Sequence, residues 1–316
     1  MEDLVSFIVP AYNNEKTIGK SLESILAQSC KKEVIVVDNC STDNTRSVIE
    51  KFPVKILLEK KKGAGAARNR GLTVARGNYI AFVDADAYLP KDWALRAIQA
   101  LKETDENVVC ARGPLRSMKK SNVGRALDAL SYGTPSIVKR AYVKVLNASG
   151  IMFIRRILDE IKFDEDFVRG QDTELGFRII GKGYKILYDD SLYIYHHNPS
   201  TLKGIFKKWF TYGKSYPLSY LKHRRMIGIM FYIKVFYIPL FCVLIGLSFI
   251  IPIVAYIAFL QLFTLFFSYV NIGMKIPQNT LKISVLTFSV IHTFKQLAHM
   301  VGIWFGFFER MFSHPI

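Results

Sequence analysis

Gly77-Asn-Tyr-Ile-Ala-Phe-Val-Asp-Ala-Asp-Ala-Tyr-Leu-Pro90 decides how the chain is read. Residues 79–83 form a short, unbroken, β-rich apolar run, the pattern of a strand covered on both faces in a parallel sheet. The run empties directly into two carboxylates, Asp84 and Asp86, on a tight turn. Two hard oxygen ligands with open positions suit Mg²⁺ or Mn²⁺ shared with a phosphate-bearing ligand.

Three similar runs precede it, at residues 5–9, 33–37 and 54–58, and helical patterns at 15–29, 42–51 and 64–76 lie between them. Strands alternating with helices predict an α/β fold with a parallel sheet covered by helices on both faces. Ser41 is the expected N-cap of the second helix, and Pro90 suits the first turn of a helix over 91–103. In such sheets ligands bind where the loops leave the carboxyl ends of the strands. The first strand ends in Pro10-Ala-Tyr-Asn13, the second in Asp38 and the fourth in the acid pair. Topology alone therefore gathers Tyr12, Asp38, Asp84 and Asp86 at one edge.

Gly63-Ala-Gly65, with Asp84 about twenty residues on, imitates a dinucleotide fingerprint. The third glycine position is Arg68, however, and the motif does not open the first strand–helix unit, so a hydride-transfer enzyme is disfavoured. Lys60, Lys61, Lys62 and Arg68 are instead cations able to meet a diphosphate beside a helix N-terminus, or a solvated basic turn. Farther on, Gly170-Gln-Asp-Thr-Glu-Leu175 starts an amphipathic helix in which Asp172 is either a cap or a functional acid. Tyr193-Ile-Tyr-His-His197 ends a strand and offers two imidazoles.

Taken in order, these pieces resemble family-two glycosyltransferases of the GT-A fold, a Rossmann-like arrangement. The stretches that carry the resemblance are VSFIVPAYNNEKTIGKSLESILAQS, VIVVDNCSTDNT, GAGAARNRGL, GNYIAFVDADAYLP, ASGIMFIRR and GQDTELGFRIIGKGYKI, and they cover most of residues 4–190. The resemblance implies that Pro10, Ala11, Tyr12 and Glu15 line a nucleotide pocket and that Asp38 bonds the base. It implies that Arg68 lies near the diphosphate and that Asp84 faces ribose or metal. Asp86 would coordinate the metal, His196 or His197 would add a ligand, and Asp172 would be the base that deprotonates the acceptor and gives inversion. Gln171 stands where many relatives have Glu. The Gln-x-x-Arg-Trp signature of polymer synthases is reduced to Ile205-Phe-Lys-Lys-Trp209, which argues for transfer of a single sugar.

The charge is divided unevenly. Lys and Arg total 43 against 26 acids, a net of +17, and Glu309 is the only acid after Asp190. No charged residue or histidine occurs from 235 to 274, enough for about two spans at roughly 20 residues each. Spans are expected at about 228–251 and 253–272, turning at Pro252, with Pro239 as a kink. Just before them Lys203, Lys207, Lys208, Lys214, Lys222, Arg224 and Arg225 are interleaved with Trp209 and other apolar residues and no acid. This is the pattern of helices in a headgroup layer, and it places the preceding domain on the cytoplasmic side. Residues 283–308 carry His292, Lys295, Gln296 and His299 on one helical face. That segment is a third span or an interfacial helix. The interface is preferred, because a free Lys at the bilayer centre costs about 2.5–3.5 kcal/mol. The basic excess is thus assigned to a membrane rather than to nucleic acid.

Cys30, Cys40, Cys110 and Cys242 show no C-x-x-C spacing, which fits a reducing compartment, and the strand pattern beginning at Val5 predicts no signal peptide. Sequons at Asn39 and Asn147 fall inside the soluble part. The expected layout is a catalytic domain over 1–200, basic juxtamembrane helices over 201–226 and a membrane domain over 227–316. The expected function is an integral-membrane transferase that takes one sugar from a nucleotide-diphospho-sugar to a lipid-linked acceptor such as polyprenyl phosphate. The rivals are a sugar-phosphate nucleotidyltransferase and a non-catalytic membrane scaffold.

Overall fold

The computed structural model describes residues 3–118, 121–131, 134–135, 138–167, 169–222, 229–248, 253–276, 281 and 283–313. In chain order the elements are β1 (Val5–Ala11), α1 (Ile18–Leu26), β2 (Lys32–Asp38), α2 (Thr45–Ile49), β3 (Lys55–Leu58), α3 (Ala64–Leu72), β4 (Tyr79–Phe82), β5 (Ala87–Tyr88) and α4 (Trp93–Lys102). There follow β6 (Val108–Arg112), β7 (Leu115–Ser117), α5 (Asn122–Ala129), β8 (Leu130–Ser131), β9 (Thr134–Pro135), β10 (Arg140–Val143), β11 (Ile151–Ile154), α6 (Arg155–Glu160), α7 (Gln171–Gly181), β12 (Lys185–Asp189) and β13 (Ile194–His196). The chain ends in α8 (Leu202–Lys222), α9 (Ile229–Ser248), α10 (Ile253–Met274) and α11 (Val285–Ser313). Two compact units result, an α/β unit of residues 1–118 and 131–197 and a helical unit of 119–130 and 198–316.

The α/β unit is built on an eight-stranded sheet in the order β10-β12-β6-β11-β4-β1-β2-β3. The expected parallel pairing covers β4, β1, β2 and β3. The sheet is mixed beyond them, because β11 enters antiparallel to both β4 and β6. Alternation along each strand divides the core. Phe7 and Val9 of β1 pack with Ile18, Leu22 and Ile25 of α1 and with Trp93 and Ala97 of α4. Ile8, Ile35 and Phe82 point the other way, onto Ala67 of α3, Ile157 of α6 and Leu175 and Ile179 of α7. Burying each large side chain contributes about 1.5–3 kcal/mol, so both faces must be covered. A Cβ at Gly71 of α3 would collide with Ile8, which shows how closely that helix lies on β1.

Two local expectations are corrected. Ser41 is not a cap, since α2 begins behind Asn44 and Ser41 Oγ instead accepts the Asn13 N–H at 3.1 Å. Pro90 lies before α4 rather than in its first turn. Its carbonyl is held by Gln28 Nε2 at 2.9 Å, and the helix is entered through Asp92 in the left-handed region. Asn39 and Asn147 are buried, so neither sequon offers a surface acceptor.

In the helical unit α8 and α11 cross with their backbones in contact. A Cβ on Gly302 would strike the Phe210 carbonyl, one on Gly306 the Lys214 carbonyl, and one on Gly213 the His299 carbonyl. Gly302-Ile-Trp-Phe-Gly306 is a small-xxx-small stripe, the device by which helices approach closely in apolar surroundings. The polar face expected on α11 turns into the unit. His292 Nε2 meets the Ala126 carbonyl at 2.8 Å, Gln296 Nε2 donates to Tyr269 Oη at 2.8 Å, and His299 stacks edge-on against Tyr216. Among the described residues one segment, Ile257–Met274, is long and apolar enough to cross a membrane, and Val235–Ile245 is a shorter apolar stretch. Arg224, Arg225, Gly228 and Pro252, which carried part of the span and juxtamembrane expectations, lie outside the described residues.

Candidate active site

Parallel register brings the expected edge together. Ala11 sits beside Asp38 and Ile8 beside Phe82, so the chain leaves β1, β2 and β4 at one end of the sheet. Tyr12 is exposed there, Ala11 is buried and Pro10 is half-buried. The loops after β1 and β2 are interlocked. Asn13 Oδ1 accepts from Thr42 N at 2.8 Å, and Glu15 Oε2 accepts from Asn44 N at 3.2 Å and its Nδ2 at 3.1 Å. Asp38 is buried, and one of its oxygens accepts from Ser41 N at 3.1 Å. Beside it, Asn39 does work that the sequence reading missed. Its Nδ2 donates to the Glu59 and Lys61 carbonyls at 2.7 and 2.8 Å, and its Oδ1 accepts from Gly63 N at 2.8 Å. That amide fixes the turn into α3, whose first turns carry Arg68. Lys60, Lys61 and Lys62 are exposed, and Lys61 pairs with Glu165 at 3.0 Å.

The acid pair acquires its third member through strand pairing. β13 lies antiparallel to β5, with His196 opposite Ala87, so the imidazole stands next to the turn that holds Asp86. His196 Nε2 is 3.2 Å from Asp86 Oδ1 and 3.9 Å from Asp84 Oδ2. One ligand atom from each of the three residues lies within 4.8 Å of the others. His197 is turned elsewhere, its Nε2 3.0 Å from Tyr88 Oη. Of the two histidines, the structure brings His196 to the acids.

Arg68 is buried beneath this group at 3 % exposure, and its Nη2 donates to Asp84 Oδ1 at 2.7 Å. Phe82 and Phe163 bracket the guanidinium, whose carbon is 5.9 and 5.3 Å from their ring centroids. Burial alone would raise the Asp84 carboxyl, but Arg68 and then His196 outweigh it and hold Asp84 well below the ordinary carboxylate range. Asp172 shares the same cation with the opposite result. Burial dominates and pushes it up, with Arg68 and its hydrogen bond from Thr173 N offsetting only part and Asp84 adding to the rise. Asp172 is not the helix cap, a place taken by Gly170 in the left-handed region (φ 75°).

The start of α7 is pinned from several sides. A Cβ on Gly65 would rest against Phe163 and Gln171, so the first turn of α3 abuts the first residue of α7. Asn69 Nδ2 donates to the Phe163 carbonyl and to Glu165 Oε1, both at 2.9 Å. Glu174, 1 % exposed, takes a two-pronged bond from Arg178 at 2.6 and 2.7 Å, and Arg178 also reaches the Lys162 carbonyl at 2.6 Å. The i, i+4 spacing of Glu174 and Arg178 was visible in the sequence; their partners outside the helix were not.

Two carboxylates and one imidazole nitrogen make a donor set of hard oxygens with one borderline nitrogen and no thiolate. Such a set fits Mn²⁺ or Mg²⁺ with positions left for ligand oxygens. A low-lying Asp84 presents the charged form a cation needs, while a raised Asp172 suits a group that must take up a proton.

Residues 6–162 match the model of the family described as Glycosyl transferase family 2. Over 232 residues the chain is 26% identical to the Methanococcus voltae dolichyl N-acetyl-alpha-D-glucosaminyl phosphate 3-beta-D-2,3-diacetamido-2,3-dideoxy-beta-D-glucuronosyltransferase, covering 67% of this chain and 72% of that protein. Over 255 residues it is 28% identical to glycosyltransferase AglE of Haloferax volcanii, covering 74% and 81%. Its fold is like that of the mannosyltransferase PcManGT of Pyrobaculum calidifontis, solved with GDP-Man and Mn²⁺, with a TM-score of 0.55 and 22% identity over 72% of this chain and 66% of the other. The strand-end acids, the GT-A architecture and the family match agree: this chain is an enzyme of glycosyl transferase family 2.

Proposed function

We propose that this transferase moves one sugar, with inversion, from a nucleotide-diphospho-sugar to a lipid-linked acceptor at a membrane surface. The observation that carries the reading is the cluster at the strand ends, where Asp84, Asp86 and His196 each bring a ligand atom within 4.8 Å of the others and Arg68 donates to Asp84, while burial raises the Asp172 carboxyl. Pro10, Ala11, Tyr12 and Glu15 border the nucleotide at the strand ends, and Asp38 meets the base. Asp84, Asp86 and His196 would hold the divalent cation, and Arg68 keeps Asp84 ionised and aimed. When bound, Mg²⁺ or Mn²⁺ offsets the charge that develops on the departing nucleoside diphosphate. Asp172 accepts the proton of an acceptor hydroxyl; towards an acceptor phosphate already ionised it only orients the nucleophile.

The lipid side of the reading rests on the helical unit and on the dolichyl-linked substrate named for the Methanococcus relative. In this arrangement α9 and α10 anchor the chain, α8 lies among headgroups, and the α/β unit faces the cytoplasm. The family match favours neither the nucleotidyltransferase nor the scaffold. A thermal-shift screen of sugar nucleotides with Mn²⁺ present should find stabilisation by at least one of them, and stabilisation by none would remove the donor-site assignment. Replacing Asp172 by Asn should lower kcat on a hydroxyl acceptor by about 10²–10⁴-fold while leaving donor affinity near that of the parent. Full turnover in that variant would eliminate the base role.

A further inference from the structure

The segment that enters β11, Leu146-Asn-Ala-Ser-Gly150, is buried at every position, yet two of its side chains hold polar atoms with no hydrogen-bond partner in the protein. Asn147 and Ser149 are each 3 % exposed. Asn147 Oδ1 accepts from Ser149 N at 3.1 Å, which closes a local turn and leaves Nδ2 unused. Ser149 Oγ is unmatched as well. Their neighbours Leu146 and Ala148 are apolar and pack into the core with Leu175. Burying an amide end and a hydroxyl without partners costs stability, so packing gives no reason for either group.

Placement supplies a reason. At one end of the segment, Gly150 N donates to the Phe82 carbonyl at 2.9 Å, two residues before Asp84. At the other, a Cβ on Gly176 would come within 2.9 Å of Leu146 Cβ. Gly176 follows Asp172 by four residues and shares its face of α7. The segment therefore runs from the strand that delivers Asp84 to the helix face that carries Asp172. Two further side chains at these acids hold unpartnered buried atoms, Nε and Nη1 of Arg68 and Oε1 of Gln171. When a sugar passes from a diphosphate held near Asp84 and Asp86 to a nucleophile at Asp172, its ring lies between those acids. An amide N–H and a hydroxyl placed there are neutral. Among so many carboxylates they suit the hydroxyl or acylamino groups of a sugar rather than a further anion.

We propose that Asn147 Nδ2 and Ser149 Oγ bind ring substituents of the transferred sugar and help decide which sugar nucleotide is used. Their role rests on the donor reading above and adds to it the residues that tell one sugar from another. Selectivity follows because a sugar without the matching substituent leaves these buried groups unpaired. The detergent-solubilised full chain is titrated calorimetrically, with Mn²⁺ present, against UDP-glucose, UDP-N-acetylglucosamine and GDP-mannose, and against UDP and GDP. Ser149→Ala should weaken the sugar nucleotide that the parent binds best by about three- to tenfold, the worth of one neutral hydrogen bond, while the matching nucleoside diphosphate stays within about twofold. Asn147→Ser should act likewise, since its hydroxyl can still accept from Ser149 N but is too short to replace the amide donor. Melting of the protein without nucleotide is the second readout. Ser149→Ala should melt at or above the parent temperature, because a hydroxyl without a partner adds nothing to the fold.

Parent-like affinity for the sugar nucleotide in both variants would overturn the proposal and leave the donor reading standing. An equal loss for the nucleoside diphosphate would also overturn it, by moving both groups to the nucleotide or the metal. A lower melting temperature of nucleotide-free Ser149→Ala would do the same, since the hydroxyl would then serve the fold. Failure of the donor reading has a different signature, in which the parent itself binds none of the sugar nucleotides, and this role falls with it.

Discussion

The α/β unit and the helical unit each gather polar groups in apolar surroundings, and they fix them by different means. In the first, a hydrogen-bonded ladder sets position: His196 reaches Asp86 because β13 pairs with β5, more than a hundred residues away in sequence. In the second no ladder is available, and backbone contact at Gly213, Gly302 and Gly306 sets the register. The electrostatics differ as well. The α/β unit sets a buried cation, Arg68, against the half-buried Asp84, whereas the described residues of the helical unit hold many more basic than acidic side chains.

The largest effect on stability is therefore expected at Arg68, the buried cation that pairs with Asp84. Arg68→Leu leaves Asp84 beside the remaining acids without its partner and should cost about 3–5 kcal/mol of unfolding free energy. Arg68→Lys should cost less but still lose the two-sided packing on Phe82 and Phe163, since an ammonium lacks the flat guanidinium face. Denaturant melts of the three proteins check this. A leucine variant as stable as the parent would mean that Asp84 is supported by something other than Arg68.

The matching test in the helical unit is Gly302→Leu. Its side chain would have to occupy the space of the Phe210 carbonyl, so α8 and α11 must separate, at about 1–3 kcal/mol for overpacking alone. Thermal unfolding in detergent should show the loss, and Gly302→Ala should show a smaller one. If leucine is tolerated, the seam is not what holds the two helices in register.

These two regions were not equally legible in the sequence. Tyr12, Asp38, Asp84 and Asp86 could be placed at one edge because parallel strands share a direction and their loops must emerge together. Asp172 was visible as an acid near a helix start, but its burial depends on contacts that only folding creates. Asn39 and Asn69 act through partners some 20 to 95 residues away, several of them carbonyls with no side-chain signature, and no local pattern announces them. The choice of His196 over His197 was open for a similar reason, because strand alternation separates the two while the pairing partner decides which one faces the acids. The seam was partly readable, since Gly302 and Gly306 stand four apart; what the sequence withheld was the third glycine, on another helix.

The shared cation also predicts a pH signature smaller than either of these losses. Asp172 works as a base only when ionised, and burial raises it, so kcat/KM on a hydroxyl acceptor should begin to fall above the ordinary carboxylate range as pH is lowered. Removing Arg68 should move that limb higher still. For stability the two acids have opposite signs. Asp84 is held low, so its contribution is present above its unfolded pKa and is lost as pH falls towards the folded value. Asp172 is raised, so its native state favours the proton and its ionisation weakens the fold as pH rises through the folded value. Asp172→Asn should therefore raise the melting temperature of the metal-free protein at neutral pH while abolishing base catalysis. A lower melting temperature would show that the carboxylate is held by bonds worth more than its burial costs.

Gly183 gives the smallest expected change and the sharpest control on the seam. It follows α7 with φ of 85°, and a Cβ there would meet nothing within 4 Å. Alanine must then bear only the cost of the left-handed backbone, about 1–2 kcal/mol. Reduced freedom of the unfolded chain offsets about 0.4–1 kcal/mol of it. The net loss for Gly183→Ala should be about 1 kcal/mol or less, below that of Gly302→Leu. The two glycines are required for different reasons, conformation in one unit and contact in the other, and chemical denaturation of both variants separates those reasons. Should Gly183→Ala prove the more damaging, backbone conformation at the end of α7 would matter more to this protein than close approach between α8 and α11.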